Sequence, residues 1–408
     1  MSPRQKVIGG GFALAAVFVA ALNLRAGISS VGPVLGDLLA WYDASGALAG
    51  LVTAMPGMFF AVMGLAAVPI ASRLGLSRTL LLGMTMTLTG LALRPWTGSV
   101  GLFLLLTALV VAGIALSNVL LPAWIKLHGG KNVVALMTVN GAVLGLSGGL
   151  GPLSAALADG PGGWRDALFV WAWLALAQVL VWAVVALRTR YDFPSHSAVG
   201  EDGRAPTGSL WRSASALALM FYFGLQSMQA YVQMGWLPQI LIDAGVDVAV
   251  AALALSLTAV FGVAGGLIMP TVVQRSRWLP GWPLLFGVVT VAGYVGLLLI
   301  PDTMPLLWAG LLGLGGWAFP TALNLIVVKA RHPLVAARLS GFVQPYGYII
   351  AAAGPLLVGL AYRPENPHTW TAIITVLIVL AALKGVVGMK AAQPGRVDDE
   401  LGRSSTEA

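Results

Sequence analysis

Gly113 to Lys126 reads GIALSNVLLPAWIK, and Gly316 to Lys329 reads GWAFPTALNLIVVK. Both run from a glycine to a lysine over the same number of steps, through a nearly unbroken apolar stretch, and they lie 203 residues apart. Gly151-Pro152 and Gly354-Pro355 repeat that offset in the next apolar stretch of each half. One such match is what chance gives among apolar helices rich in Gly and Pro. Two at a single offset, in equivalent stretches, point to a duplicated unit.

Around these stretches the whole chain is apolar. Of 408 residues, 58% are hydrophobic and 9% charged, against roughly 25% charged in an ordinary soluble domain. A membrane helix needs about 20 apolar residues, so twelve need about 240, close to the apolar content of this chain. The composition excludes a soluble enzyme, a disordered chain and a nucleic-acid-binding domain. Twelve spans are expected. Six lie near 8–36, 46–72, 78–95, 99–127, 132–158 and 165–187. Six more lie near 213–241, 247–273, 282–300, 305–329, 336–361 and 369–390. Lipid offers the backbone no hydrogen bonds, so uninterrupted apolar stretches of this length are helices. The first follows Arg4 and Lys6 but is too long for a signal peptide, so it is read as a retained helix. The expected organisation is an N-terminal half 1–187, a linker 188–212 rich in Pro, Gly, Ser and charge, a C-terminal half 213–390 and a tail 391–408.

The charges give a sidedness. One set of ends holds Arg4, Lys6, Arg73, Arg78, Lys126, Lys131, Arg188, Arg190, Arg204, Arg212, Arg275, Arg277, Lys329, Arg331, Arg338, Lys384, Lys390, Arg396 and Arg403. The opposite ends hold Arg94, Arg165 and Arg363, and Arg25 alone is left within a span. The positive-inside rule then places both termini in the cytoplasm, and the expected location is a prokaryotic cell membrane. It also accounts for the net charge of +8 without nucleic acid. Two six-helix repeats in parallel are the major facilitator architecture, in which the substrate site lies near the midplane and the halves rock around it.

There is no cysteine, and the four histidines, His128, His196, His332 and His368, are scattered, so no metal site is expected. No cofactor fingerprint, HExxH or paired carboxylate at depth is present, so an enzyme is not expected. The acids at the outer ends, Asp37, Asp43, Asp159, Asp166, Asp243, Asp247, Asp302 and Glu365, leave no carboxylate deep in the membrane for a proton relay. Arg25 is then the one deeply placed charge. A charge at mid-bilayer costs at least roughly 2.5–3.5 kcal/mol and normally faces a water-filled cavity. Two readings fit it: a fork that binds an anionic substrate in two parallel hydrogen bonds, or a structural Arg holding carbonyls and amides between helices. Arg25, Ser29 and Gly32 share one helix face.

Span 7 carries Tyr222, Gln226, Gln229 and Gln233 as a polar stripe that should face a cavity or another helix, not lipid. Span 10 carries Trp317, Thr321, Asn324 and Val328 at the same spacing. Span 11 carries Gln344 and Tyr348, and span 4 carries Asn118. The substrate-contact set expected from these patterns is Arg25, Ser29, Asn118, Tyr222, Gln226, Gln229, Trp317, Asn324, Gln344 and Tyr348, with packing or interhelical bonding as the alternative for each.

Several motifs resemble those of the major facilitator family of cyanate and 2-nitroimidazole transporters. They are Asn23-Leu24-Arg25 in the first span, Gly224-Leu225-Gln226-Ser227 followed by Trp236-Leu237-Pro238 in the seventh, and Gly313 to Pro320 with Leu325-Ile326-Val327 in the tenth. The eleventh holds Leu339-Ser340 through Gln344, Gly347-Tyr348 and Gly354-Pro355. Two departures stand out. The superfamily loop Gly-x-x-x-Asp-Arg-x-Gly reads Val68 to Gly75 here, with Ser72 in the Asp position. The glycine pattern of span 5 is only partial around Gly145, Gly148, Gly149, Gly151 and Pro152. The resemblance implies a secondary transporter that moves a small polar or anionic solute, such as cyanate, by alternating access. The alternative it implies is an efflux pump for small heteroaromatics such as nitroimidazoles. The expected partners are the small-molecule substrate, the lipid bilayer and a co-transported or exchanged ion, with the chain acting as a monomer without cofactor.

Overall fold

The computed structural model describes residues 9–158, 160, 162–189, 191–193, 208–331, 333–366 and 368–404. Among the described residues every regular element is helical. In chain order these are α1 (Gly10–Ser29), α2 (Leu35–Trp41), α3 (Gly46–Leu74), α4 (Leu76–Leu93), α5 (Val100–His128), α6 (Val133–Leu153), α7 (Trp164–Thr189) and α8 (Ala214–Asp243). They continue with α9 (Val248–Arg275), α10 (Gly281–Leu299), α11 (Pro305–Gly315), α12 (Ala318–Val328), α13 (Pro333–Ala361), α14 (Thr369–Ala391) and α15 (Val397–Ser404). Eleven helical stretches among the described residues are long and apolar enough to cross a membrane. The twelfth long helix is α8, 30 residues, whose glutamines dilute its apolar content.

Two spans differ in detail from their expected form. The first runs from Gly10 to Trp41, because α1 passes through a short 3-10 turn at Gly32–Val34 into α2. Pro33 lacks an N–H and cannot continue the α-helical ladder there. The tenth is broken at Gly316 and Trp317, between α11 and α12. The pair Gly315-Gly316 has the lowest helix propensity short of proline.

Contacts divide the chain into two units, one comprising residues 1–44 and 62–200, the other 45–61 and 201–408. In the first, α1 packs against α5, α6 and α7, and α4 lies along α5. A Cβ on Gly113 would collide with the Gly83 carbonyl and Thr87, so this seam admits only hydrogen at that position. Polar groups in the seams are satisfied across helices. Trp182 Nε1 donates to the Ala16 carbonyl (3.0 Å), and Asn23 Nδ2 to Gln178 Oε1 (3.1 Å).

One end of this unit is tied by Asp192, just past α7. Its carboxylate accepts from the Ser77 backbone N–H (3.0 Å), the Ser77 hydroxyl (2.6 Å) and His128 Nε2 (2.9 Å). Trp124 Nε1 in turn donates to Ser77 Oγ (2.8 Å). Asp192 thereby caps the first turn of α4, where Gly75 turns the chain at φ +89°. Burial raises the Asp192 carboxyl, but the bonds from His128 and Ser77 and the attraction of His128 outweigh it and hold the group below the usual carboxylate range.

In the second unit α8 is central, packed against α9, α12, α13 and α14. Helices α10 and α14 touch at Gly287 and Gly385, where a Cβ on Gly287 would lie 2.6 Å from the Gly385 Cα. Asp243, at the end of α8, accepts from Tyr362 Oη and Trp370 Nε1 (2.8 Å each) and Gln239 Nε2 (2.6 Å). The helix α15 folds back so that Glu400 accepts from Ser213 Oγ (2.6 Å), Ser215 N (3.2 Å) and Ser215 Oγ at the start of α8. Lys329, at the end of α12, donates to the Gln393 and Gly395 carbonyls leading into α15. Burial raises the Glu400 carboxyl, and the serine bonds and Lys329 more than offset this and hold it low.

Two outcomes follow. Gly287→Val should destabilise the protein by about 1–3 kcal/mol through overpacking, read as a lower midpoint in detergent thermal unfolding. Asp192→Asn should cost about 1–3 kcal/mol near pH 7 by weakening charged hydrogen bonds. A carboxyl lowered in the folded state stabilises above its unfolded value and loses that stabilisation as pH falls through the folded one. The gap between wild type and variant should therefore narrow below about pH 4.

Candidate substrate site

In the first unit Arg25 sits near the middle of the 32-residue stretch Gly10–Trp41. Its backbone N–H, with that of Ala26, faces Ser147 Oγ of α6 (3.2 and 2.9 Å), which seats α1 on α6. The side chain is half-buried. Among the described residues its guanidinium has no hydrogen-bond or ion-pair partner. Ser29, one turn on, is buried, and its hydroxyl donates to the Arg25 carbonyl (3.2 Å) while packing on Gly151. Asn118 of α5 is half-buried, and its amide likewise has no partner among the described residues.

Arg25 is not the sole cation placed inside, and the sequence-based expectation needs correcting at two residues. Arg94, expected at a water-exposed end, is 1% exposed and donates to the Gly27 carbonyl of α1 (2.9 Å). Lys384, expected as an anchor at a helix end, is 1% exposed in the seam of α8, α10 and α14. Its Nζ donates to Gln226 Oε1 (2.9 Å) and Thr290 Oγ1 (2.8 Å). Lys384 sits only six positions before Lys390, which masks it in a count of end charges. Its apolar neighbours on both sides in TVLIVLAALKGVVGMK are the signal that marks it as interior.

The stripe on α8 is turned toward α10 and α14. Tyr222 and Pro283 both lie against Gly388. Gln226 holds Lys384, Gln229 Nε2 donates to the Leu377 carbonyl (3.3 Å), and Gln233 Nε2 to Tyr294 Oη (3.2 Å). Gln229 Oε1 is enclosed and has no partner among the described residues. Trp317 Nε1 donates to the Phe261 carbonyl (2.8 Å) across to α9, and its ring covers Gly265. Asn324 donates to the Pro320 carbonyl (2.8 Å) within α12, and Gln344 to Ser340 Oγ (2.7 Å) within α13. Tyr348 belongs to an aromatic cluster with Phe223, Phe60 and Tyr231, at ring-centroid distances of 5.1, 5.4 and 6.3 Å. The structure thus brings Tyr348 and the α8 stripe into one unit with Trp317, Asn324 and Gln344, and Arg25, Ser29 and Asn118 into the other. Phe223, Phe60, Tyr231 and Lys384 were not singled out from sequence.

Long helices whose seams absorb most polar groups, yet leave a mid-span guanidinium and an amide without partners among the described residues, suit a protein that takes up a polar solute inside a bilayer. The chain is a multi-pass membrane transporter of small solutes. It belongs to the Major Facilitator Superfamily, whose family model matches residues 12–355. It is 33% identical to an uncharacterized transporter, YycB, of Bacillus subtilis (strain 168), over 95% of each chain. It is 29% identical to the 2-nitroimidazole transporter of Escherichia coli (strain K12), covering 92% of this chain and 94% of that one. With the cyanate transport protein CynX of the same organism it shares 28% identity, over 83% and 87%. Among solved structures, a peptide transporter POT in complex with sulfate superposes with a TM-score of 0.73 at 13% identity, covering 96% and 95%. A bacterial Spinster homologue in an inward-facing, occupied conformation gives 0.72 at 16%, covering 100% and 98%.

The free amide of Asn118 and the enclosed one of Gln229 should behave differently. In this cysteine-free chain, Asn118→Cys should react with a membrane-impermeant thiol reagent added to purified protein. Gln229→Cys should react at least about tenfold more slowly, since an enclosed group is reached only through local opening.

Proposed function

We propose that the chain carries a small polar or anionic solute, cyanate-like or a related small organic anion, across the plasma membrane by alternating access. The observation that carries this reading is the Arg25 guanidinium, placed near mid-span and left without a protein partner among the described residues. A guanidinium presents paired N–H donors in a rigid fork that matches a planar anion, and in a dry setting such charged hydrogen bonds strengthen. The relatives named for cyanate and 2-nitroimidazole transport support a compact, electron-rich solute. Asn118 in the same unit is proposed to act beside Arg25, and Gln226, Gln344 and Tyr348 are proposed as solute contacts of the other unit by itself. Tyr222, Gln229, Trp317, Asn324 and Ser29 support them through the helix seams. The uneven spread of Lys and Arg supports cytoplasmic termini, with the stretches 188–212 and 391–408 on that side.

The Tyr348 ring cluster favours a second reading, efflux of small heteroaromatics that stack on such rings. Uptake of labelled cyanate and of labelled 2-nitroimidazole into proteoliposomes separates the two. Arg25→Ala should reduce anion transport by at least about tenfold, the cost of a lost charged hydrogen bond, with normal membrane insertion. Arg25→Lys, which keeps the charge and loses the fork, should be impaired as well. An Arg25→Ala protein that transports the anion at the wild-type rate contradicts the proposal. Transport of the nitroimidazole alone, unaffected by Arg25→Ala, selects the efflux reading.

A further inference from the structure

Lys384 decides which side of Gln226 is available. A carboxamide has an accepting oxygen on one side and two N–H donors on the other, and ordinary side-chain geometry leaves their order open. In its ammonium form Lys384 only donates, which orders the amide. The atom 2.9 Å from Nζ is therefore the oxygen. Thr290 fixes the lysine in turn: its hydroxyl gives its hydrogen to the Phe286 carbonyl (2.6 Å), so it can only accept from Nζ (2.8 Å). Donation therefore runs outward from Lys384, through Thr290 to the Phe286 carbonyl on one side and to the Gln226 oxygen on the other. Gln226 Nε2 has no acceptor among the described residues. Unlike Gln229 Oε1, Nε2 is not among the fully enclosed polar atoms lacking a partner. Two N–H donors are therefore held in place and unspent. The apolar and glycine contacts around the lysine, with Gly287 against Gly385 one position away, leave the chain little room to rearrange.

We propose that Lys384 is a positioning residue that locks the Gln226 carboxamide with its oxygen turned away and its N–H donors presented to the transported solute, so that this stretch of α8 selects acceptor-rich anions. The inference rests on the carrier reading above and deepens it, by giving the second unit a donor of its own. Lys384 touches no substrate; it acts through Gln226. Without it the amide is free to turn, and a turned amide offers an oxygen that repels an anion.

The test is a double-mutant cycle in proteoliposomes, with labelled cyanate and labelled benzoate as probes. Lys384→Met, which keeps an unbranched apolar stem and loses the donor, should raise the KM for the transported probe about tenfold while the maximal rate changes less than about twofold. Lys384→Arg should restore part of the affinity. Gln226→Ala should raise KM to a similar extent, and the double variant should be no worse than Gln226→Ala alone, because the lysine has nothing left to orient. If Lys384→Met fails to fold, Gln226→Glu answers the same question. It keeps the oxygen facing Lys384, deletes the N–H donors, and should raise KM about tenfold without lowering thermal stability. An unchanged KM in Gln226→Glu, or effects of Lys384→Met and Gln226→Ala that multiply in the double variant, overturns the inference while the carrier reading stands. Wild-type protein that takes up neither anion in an Arg25-dependent way removes the carrier reading, and this inference with it.

Discussion

Hydrocarbon supplies no hydrogen bonds, and most of this structure is a response to that fact. A polar side chain on a membrane helix has to find its partner inside the protein or keep its place for something that is not protein. The seams show the first solution repeatedly. Indole N–H groups of Trp182 and Trp317 reach backbone carbonyls of neighbouring helices, Asn23 pairs with Gln178, and Gln233 pairs with Tyr294. Close approach at Gly113 and Gly287 makes such short bridges possible, since side chains there would hold the backbones apart.

The charges follow a division of labour. Carboxylates sit at helix ends and are spent on capping or tying them: Asp192 on α4, Asp247 on α9, Glu400 on α8, and Asp243 on the rings of Tyr362 and Trp370. The inner cations are met by neutral acceptors at most. Arg94 has a carbonyl, Lys384 has an amide oxygen and a hydroxyl, and Arg25 has no side-chain partner among the described residues. Each unit is therefore left with basic groups inside that no carboxylate among the described residues meets. Such an interior favours anions over cations, which supports the proposed anionic cargo.

Span number, helical class and the repeat were legible because each depends on local pattern alone: long apolar stretches and one offset carried by Gly113, Gly316, Gly151 and Gly354. The break at Gly316 was hidden by the apolar residues on either side, although the tandem glycines mark it. Lys384 was misread because its burial is set by Thr290 and Gln226, far away in sequence, and by its nearness to the true end charge Lys390. The α8 stripe was visible as a stripe. Its direction, toward α10 and α14, was not, because helical periodicity defines a face and says nothing of what that face meets. The Tyr348 cluster draws Phe60 from a stretch nearly 300 residues earlier, and no spacing rule reports such a contact.

The central claim is that an anion supplies the partner Arg25 lacks. Ligand-induced thermal stabilisation of purified protein tests it most directly, since a molecule that binds only the folded state raises its unfolding midpoint by mass action. Cyanate, nitrate and small carboxylates would be compared with neutral nitroaromatics, on wild type and on Arg25→Ala. The account predicts that at least one small anion raises the midpoint of wild type in a saturable way and leaves Arg25→Ala unmoved. Stabilisation by neutral heteroaromatics only, retained in Arg25→Ala, would contradict it.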